Sequence, residues 1–332
     1  MTAPVLAVED LQVTFATGGA TVSAVDRIDL AIGRGEIVGL VGESGCGKST
    51  LANAIMGLLP GSARISGSVE LDGRPILGES EDQLRTLRGD RMAMIFQDPS
   101  TSLDPTCSVG LQVSETIRAH RPTGKGEAKQ RAIDLMREVG IPDAAARYDD
   151  APHRFSGGMR QRIVIAAALA NDPALLIADE PTTALDVTIQ RQILDLITRL
   201  TTDHDTAVLL ISHDLGVIAQ VADRVGVMYA GQLVERADVH GLFAGPAHPY
   251  TRALLAAMPT AGAEPGGLAV IPGQVPDLSG PLPGCRFLDR CPVSHPECVE
   301  RPPWVSTAAT SAACWDVAAQ LAGSDADARV TR

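Results

Sequence analysis

The string Gly42-Glu43-Ser44-Gly45-Cys46-Gly47-Lys48-Ser49-Thr50 constrains this chain more than any other feature. It has the spacing of a phosphate-binding P-loop, and its flanks agree. Glu36–Val41 before it is a short apolar run of the kind that forms a buried parallel strand. Ser49–Leu59 after it carries apolar residues at helical spacing. The glycines let the backbone turn tightly and aim several N–H groups at phosphate oxygens, and the helix N-terminus adds partial positive charge. Lys48 is then expected to reach the β- and γ-phosphates and the Ser49 hydroxyl to bind Mg²⁺. Gly42, Ser44, Gly45, Cys46, Gly47 and Thr50 complete the cradle, with Cys46 at a variable position as loop filling.

A second acidic element is needed at the end of another buried strand. Leu175-Leu176-Ile177-Ala178-Asp179-Glu180-Pro181 supplies it. Asp179 is expected in the Mg²⁺ shell, and Glu180 is placed to polarise water in line with the γ-phosphate. Adjacent acids after a strand also suit an ordinary helix N-cap. Paired with the phosphate loop, the catalytic reading is preferred.

Around these two anchors the chain alternates. Strand-like runs lie at Val5–Val8, Leu11–Phe15, Ser23–Ile32, Ala207–Ile211 and Arg224–Tyr229, with helical patterns near Ile189–Thr201 and Leu215–Ala222. Alternating β and α elements predict a mainly parallel sheet with helices on both faces. The mainly helical stretch from Gln83 to Ala170 reads as an insertion into that sheet. Hydrophobic residues make up 45% of the chain but aromatics only 3%, so the core must be largely aliphatic. A net charge of −12 argues against a duplex nucleic-acid partner, which needs phosphate-neutralising Lys and Arg. No apolar run reaches the roughly 18–20 residues of a transmembrane helix, and the first residues lack a secretory signal pattern. The expected location is therefore the cytoplasmic face of the cell membrane, peripheral and held through partners.

A third string decides among P-loop families. Phe155-Ser156-Gly157-Gly158-Met159-Arg160-Gln161-Arg162 precedes an apolar helix, Ile163–Ala170, and Ser-Gly-Gly at a helix start is itself an anion site. With it the chain resembles the ABC ATPases, whose signature Leu-Ser-Gly-Gly-Gln stands here as Phe-Ser-Gly-Gly-Met. The resemblance covers roughly residues 5–240. It implies further roles: Gln97 as the Q-loop glutamine at Mg²⁺, Thr183-Ala184-Leu185-Asp186 as the D-loop, His213 as the switch histidine at the γ-phosphate, and Phe15 as the aromatic under adenine. It also implies the fold: a P-loop NTPase (RecA-like) α/β core with an antiparallel β subdomain and an inserted helical subdomain at about 97–170. Two cassettes would close head to tail, with each ATP between one subunit's Lys48 loop and the neighbour's Ser156, Gly157, Gly158 and Met159.

The ATPase domain is expected over 1–240, followed by a small irregular module at 241–316 and a frayed tail at 317–332. His248-Pro249-Tyr250-Thr251-Arg252-Ala253-Leu254-Leu255 is similar to the C-terminal extension of oligopeptide and dipeptide permease ATPases. That subfamily implies an importer of peptides, or of a related solute such as nickel or glutathione. Its partners would be two transmembrane permease subunits, an extracytoplasmic solute-binding protein and a sister ATPase chain. The alternative is a soluble ABC ATPase unconnected with transport. Cys285, Cys291, Cys298 and Cys314 crowd the module, and four thiolates suit zinc or a [4Fe–4S] cluster. The subfamily resemblance favours iron–sulfur.

Overall fold

In the computed structural model, residues 3–98, 102–183, 185–258, 270–280, 282–307 and 309–321 are described. The uncharged apolar runs became central strands: β3 (Ile37–Val41), β7 (Leu175–Asp179) and β8 (Ala207–Ser212) are buried along their whole lengths. They run parallel in the order β3, β8, β7, with β6 (Met92–Ile95) beyond β7 and β9 (Arg224–Tyr229) on the other side of β3. Their side chains point alternately to two different cores. Ile37, Val41, Val208 and Leu210 join one cluster; Val38, Leu40, Leu209 and Ile211 join the other. A strand buried on both faces needs no polar alternation, which is why these segments read as continuous apolar runs.

A second sheet is antiparallel: β1 (Leu6–Thr17), β2 (Ala20–Ile32), β4 (Ala63–Leu71) and β5 (Arg74–Pro75), in the order β2-β1-β4-β5. The two strands expected at Val5–Val8 and Leu11–Phe15 are a single strand. Its register shifts between Val8 and Leu11, where Asp10 takes φ 45°. A bulge lets one strand continue through what reads locally as a break. Between the sheets lies α1 (Lys48–Met56), with Leu51, Ala52 and Ile55 buried.

After α2 (Glu81–Leu87) and β6, the helical subdomain comprises α3 (Val109–His120), α4 (Lys125–Glu138), α5 (Ala144–Arg147) and α6 (Gly157–Ala168). Because β6 pairs directly with β7, the insertion leaves and re-enters the sheet at neighbouring strands. The chain then passes through α7 (Val187–His204), β8, α8 (Leu215–Val221), β9, β10 (Gln232–Asp238), α9 (Val239–Ala244) and α10 (Pro249–Ala256).

The C-terminal part differs from the separate irregular module expected. β11 (Trp304–Ser306) and β12 (Thr310–Ala313) pair with each other, and β12 pairs with β10, so both extend the main sheet. Three- and four-residue strands are too short for a periodicity to show. The tail expected to fray from 317 begins inside a helix at 315–321 with Val317 buried; residues 322–332 lie outside the described ones. No helix among the described residues is long and apolar enough to cross a membrane.

Candidate nucleotide site

The phosphate loop bridges β3 and α1, and its first glycine is sterically required. Gly42 has φ 155°, and a Cβ there would stand 2.1 Å from the Met228 carbonyl oxygen of β9. Lys48 is the first residue of α1 and is almost fully buried. Its Nζ donates to the carbonyls of Gly42 (2.8 Å) and Glu43 (3.0 Å) and lies 3.6 Å from Cys46 Sγ. A cationic amine facing into the loop beside a helix N-terminus is the electrostatics a polyphosphate needs. Burial pushes the Cys46 thiol up despite Lys48, so Cys46 stays protonated and acts as packing.

Asp179 ends β7 and Ser49 is the second residue of α1, and their side chains interact. Burial raises the Asp179 carboxyl above its ordinary range and the Glu180 charge adds to the rise, while Ser49 and Lys48 oppose it. Hydroxyl and carboxylate oxygens are the donors a hard cation takes, so the pair fits Mg²⁺ completed by phosphate oxygens and water. Such a shell needs no cluster of three acidic, His or Cys side chains, and none is found among the described residues.

Glu180 follows with φ 49°, a left-handed conformation rare for a residue with a Cβ and of the kind that collects at reactive sites. Its backbone N–H donates to the Ile211 carbonyl (3.0 Å), which fixes the strained turn. Three groups orient its carboxylate. Gln97 Nε2 donates to Oε2 (3.0 Å), Thr183 Oγ1 donates to Oε2 (2.9 Å), and His213 Nδ1 lies 3.2 Å from Oε1. Burial alone would raise the Glu180 pKa. The Thr183 and His213 hydrogen bonds, with the charges of His213 and Lys48, pull it below the usual range instead. It is therefore an ionised acceptor at neutral pH.

Lys48, Ser49, Asp179, Glu180, Gln97 and His213 thus gather as a set around the ends of β3, β6, β7 and β8. Thr183 was expected only as a D-loop residue; its hydroxyl on Glu180 carries no local sequence signal. Asp186 caps α7, accepting from the Ile189 N–H at 3.0 Å; Ala184 lies outside the described residues. Phe15 sits half-buried in β1 between Val22 and Ala63.

The Ser-Gly-Gly string stands apart. Ser156 is the N-cap of α6, its Oγ accepting from the Met159 N–H at 3.3 Å. Helix α6 therefore begins at Gly157 rather than at Ile163, because the glycines form its first turn. A Cβ on Gly158 would lie 2.6 Å from Ile189 Cγ2 of α7. Among the described residues no hydrogen bond joins 156–159 to the phosphate loop.

The four late cysteines are free thiols. They are near neighbours: burial pushes Cys285 up to about 11, and Cys298, Cys314 and Cys291 each add to that rise. Burial likewise raises Cys291 and Cys314. Yet among the described residues no group of three or more His, Cys, Asp or Glu side chains is set to hold a metal ion, so the expected four-sulfur centre is not found as a closed coordination set.

Comparison with known proteins shows the family and the fold. Residues 25–183 match the family described as ABC transporter, and residues 234–298 match the oligopeptide/dipeptide transporter C-terminal region. A putative peptide import ATP-binding protein of Brucella abortus is 46% identical over 306 residues, 92% of each chain. The dipeptide transport ATP-binding protein DppD of Escherichia coli is 48% identical over 294 residues, 88% of this chain and 90% of its own. The oligopeptide transport ATP-binding protein OppD of Lactococcus lactis is 49% identical over 276 residues, 83% and 82% respectively. Among solved structures, the ATP-binding cassette MJ0796, a dimer in a post-hydrolysis state with ADP and Pi, superposes with a TM-score of 0.64 at 26% identity. It covers 70% of this chain and 98% of its own.

Proposed function

The chain belongs to the ABC transporter family of ATP-binding subunits, in its oligopeptide/dipeptide branch, and from that premise we propose how it powers peptide import. It is an ATPase coupled to transport. The observation that carries the mechanism is Glu180: an ionised carboxylate on a strained turn, held by Gln97, Thr183 and His213 beside the phosphate loop.

ATP binds with its phosphates on backbone N–H groups of the phosphate loop and the Lys48 amine, and adenine stacks on Phe15. Ser49, Asp179 and Gln97 would hold Mg²⁺, which when bound would supply neutralising charge for the phosphates. Glu180 accepts a hydrogen bond from the attacking water and orients it, and His213 completes the γ-phosphate environment. The Ser156-Gly157-Gly158 turn serves the ATP of a neighbouring cassette. Closure and reopening of the pair is then a two-state switch biased by nucleotide. MJ0796, named as a dimeric cassette, supports that pairing. The neighbour is a sister chain in this reading, and an extracytoplasmic binding protein delivers the solute.

Transmembrane partners need a surface near Gln97, and one exists. A groove of about 590 Å³ is lined by Leu58, Met94, Phe96, Leu103, Val164 and Ala168, with Phe96 and Leu58 exposed. It lies where the helical subdomain meets the sheet, so a segment seated there would feel both. Co-purification tests this reading. The chain should be recovered with two multi-span membrane proteins, and its ATP turnover there should rise when peptide-loaded binding protein is added. Isolation as a free ATPase indifferent to both would refute it.

The cysteine cluster carries a separate proposal: an iron–sulfur centre on Cys285, Cys291, Cys298 and Cys314, with zinc the other candidate. Supporting it are four free, neighbouring thiols. The coordination geometry does not support it, and no step of hydrolysis is routed through it.

A further inference from the structure

We infer that Arg290 and Tyr250, both from the C-terminal region, are positioning residues of the phosphate loop. They act through Glu43, so that the loop keeps its shape only while that region is seated. The inference rests on the phosphate-loop reading above and adds a requirement to it.

Glu43 occupies a position of the loop pattern that any residue can fill, yet it is bonded in three directions. Arg290 grips its carboxylate with a two-pronged fork, Nη1 to Oε2 at 2.9 Å and Nη2 to Oε1 at 3.1 Å. Its backbone N–H donates to the Tyr250 hydroxyl at 3.0 Å. Its carbonyl accepts from Lys48 Nζ at 3.0 Å. The Gly42–Glu43 peptide, whose carbonyl accepts from Lys48 Nζ at 2.8 Å, is thus the peptide whose N–H Tyr250 holds, while Arg290 holds the Glu43 side chain. Glu43 lies within the stretch matched to the ABC transporter family, and Tyr250 and Arg290 lie within the oligopeptide/dipeptide stretch.

The anchor is built to be rigid. Arg290 has 5% of its side chain exposed. All five guanidinium N–H bonds are used: Nε to the Pro272 carbonyl, Nη1 to Glu43 and the Tyr229 hydroxyl, Nη2 to Glu43 and the Ile271 carbonyl. Tyr229, Tyr250 and Phe287 form a buried aromatic cluster beside it, with centroids 4.6–5.4 Å apart. In a chain with only three tyrosines, two of them stand here. A bidentate Arg–carboxylate pair whose arginine is buried is expensive to half-remove, because removing Glu43 leaves that charge unpaired. Arg286 makes a parallel anchor, its Nη2 on Asp26 of β2 at 3.0 Å, so the region is fastened at two points.

Steady-state ATP hydrolysis and fluorescent-nucleotide binding, measured on the full chain in its membrane complex, test this. Arg290→Gln and Glu43→Gln should each raise the ATP KM and the nucleotide Kd about 5–30-fold, leaving kcat at saturating ATP within about 3-fold. The double variant should be no worse than the worse single one, since both break the same fork. Tyr250→Phe keeps the ring cluster and removes one oxygen, and should raise KM about 3–10-fold; with Glu43→Gln it carries the test if Arg290→Gln fails to fold. Unchanged KM in the folded variants, or additive effects of Arg290→Gln and Glu43→Gln, would overturn the inference. Lys48→Ala separates the two levels. If it leaves nucleotide binding intact, the phosphate-loop reading itself has failed; if it abolishes binding while the Arg290 and Tyr250 variants are silent, only this inference has.

Discussion

His213 Nδ1 lies 3.2 Å from Glu180 Oε1, joining the residue just past the end of β8 to the residue just past the end of β7. Parallel neighbouring strands that end level with each other bring their following residues together, so two short apolar runs suffice to build an acid–base pair. Ligands in open α/β sheets bind at such carboxyl ends.

Replacing the Glu180 carboxylate by an amide keeps its size and removes its proton affinity. Glu180→Gln should still bind ATP but hydrolyse it about 10²–10⁴-fold more slowly, the usual range for loss of a catalytic base. Pre-steady-state binding and steady-state turnover on the same preparation read both halves. Near-normal turnover would remove Glu180 from the mechanism.

Lys48→Ala acts earlier in the cycle. The Nζ that bonds the Gly42 and Glu43 carbonyls is the loop's own cation, and a charge-assisted contact is worth about 1.5–3 kcal/mol. Nucleotide Kd should therefore rise by about 10–100-fold. Equilibrium titration with a fluorescent ATP analogue measures it.

Gly42→Ala should destabilise the fold as well as abolish nucleotide binding. The φ of 155° and the 2.1 Å approach to the Met228 carbonyl leave no room for a methyl group beside backbone. A loss of at least about 3 kcal/mol in unfolding free energy is expected, at the high end for single substitutions. A chemical denaturation curve within 1 kcal/mol of the parent, a threshold taken as roughly the ordinary effect of a substitution, would contradict the loop geometry.

His248 gives a pH signature. Its Nδ1 caps α10 by accepting from the Tyr250 N–H, and burial, with a smaller push from Arg252, lowers its pKa from 6.5 to about 3. Below pH 6.5 the unfolded chain takes up a proton that the folded chain refuses until near pH 3. The neutral imidazole's contribution is thus full above pH 6.5 and lost as pH falls, at about 1.4 kcal/mol per pH unit. His248→Asn keeps a capping acceptor without a titrating ring. Between pH 6 and 4.5, on the order of one slope unit below the ordinary His pKa, its stability should fall less steeply than the parent's by that amount. Parallel slopes in thermal or denaturant unfolding would contradict it.

The grouping of residues at the candidate nucleotide site was legible because its chemistry is local. Phosphate recognition needs a tight turn between a strand and a helix, so Gly42 to Thr50 and Asp179-Glu180 are each contiguous strings with apolar runs beside them. The parallel strands were legible for the same reason. What stayed hidden is long-range. Arg290 is one arginine before a cysteine, and nothing near it indicates that it grips Glu43 from 247 positions away. Thr183 is one threonine of a loop, and only the turn at Glu180 aims its hydroxyl. β11 and β12 are too short for alternation to register, and become strands because β10 offers an open edge. The cysteine spacing suggested a metal centre but could not specify how closely the four sulfurs converge. Iron, labile sulfide and zinc analysis of anaerobically purified protein decides that point: about four irons per chain fits a cubane cluster and one zinc a tetrahedral site, while absence of all three removes the centre.

The most direct measurement is the structure of the ATP-loaded Glu180→Gln form in its membrane complex. The account predicts ATP held by Lys48 of this chain on one side and by the neighbouring cassette's Ser-Gly-Gly turn on the other, with Ser156 of this chain at the second nucleotide. ATP bound at Lys48 with no facing cassette, or with Ser156-Gly157-Gly158 open to solvent in the closed state, would contradict it.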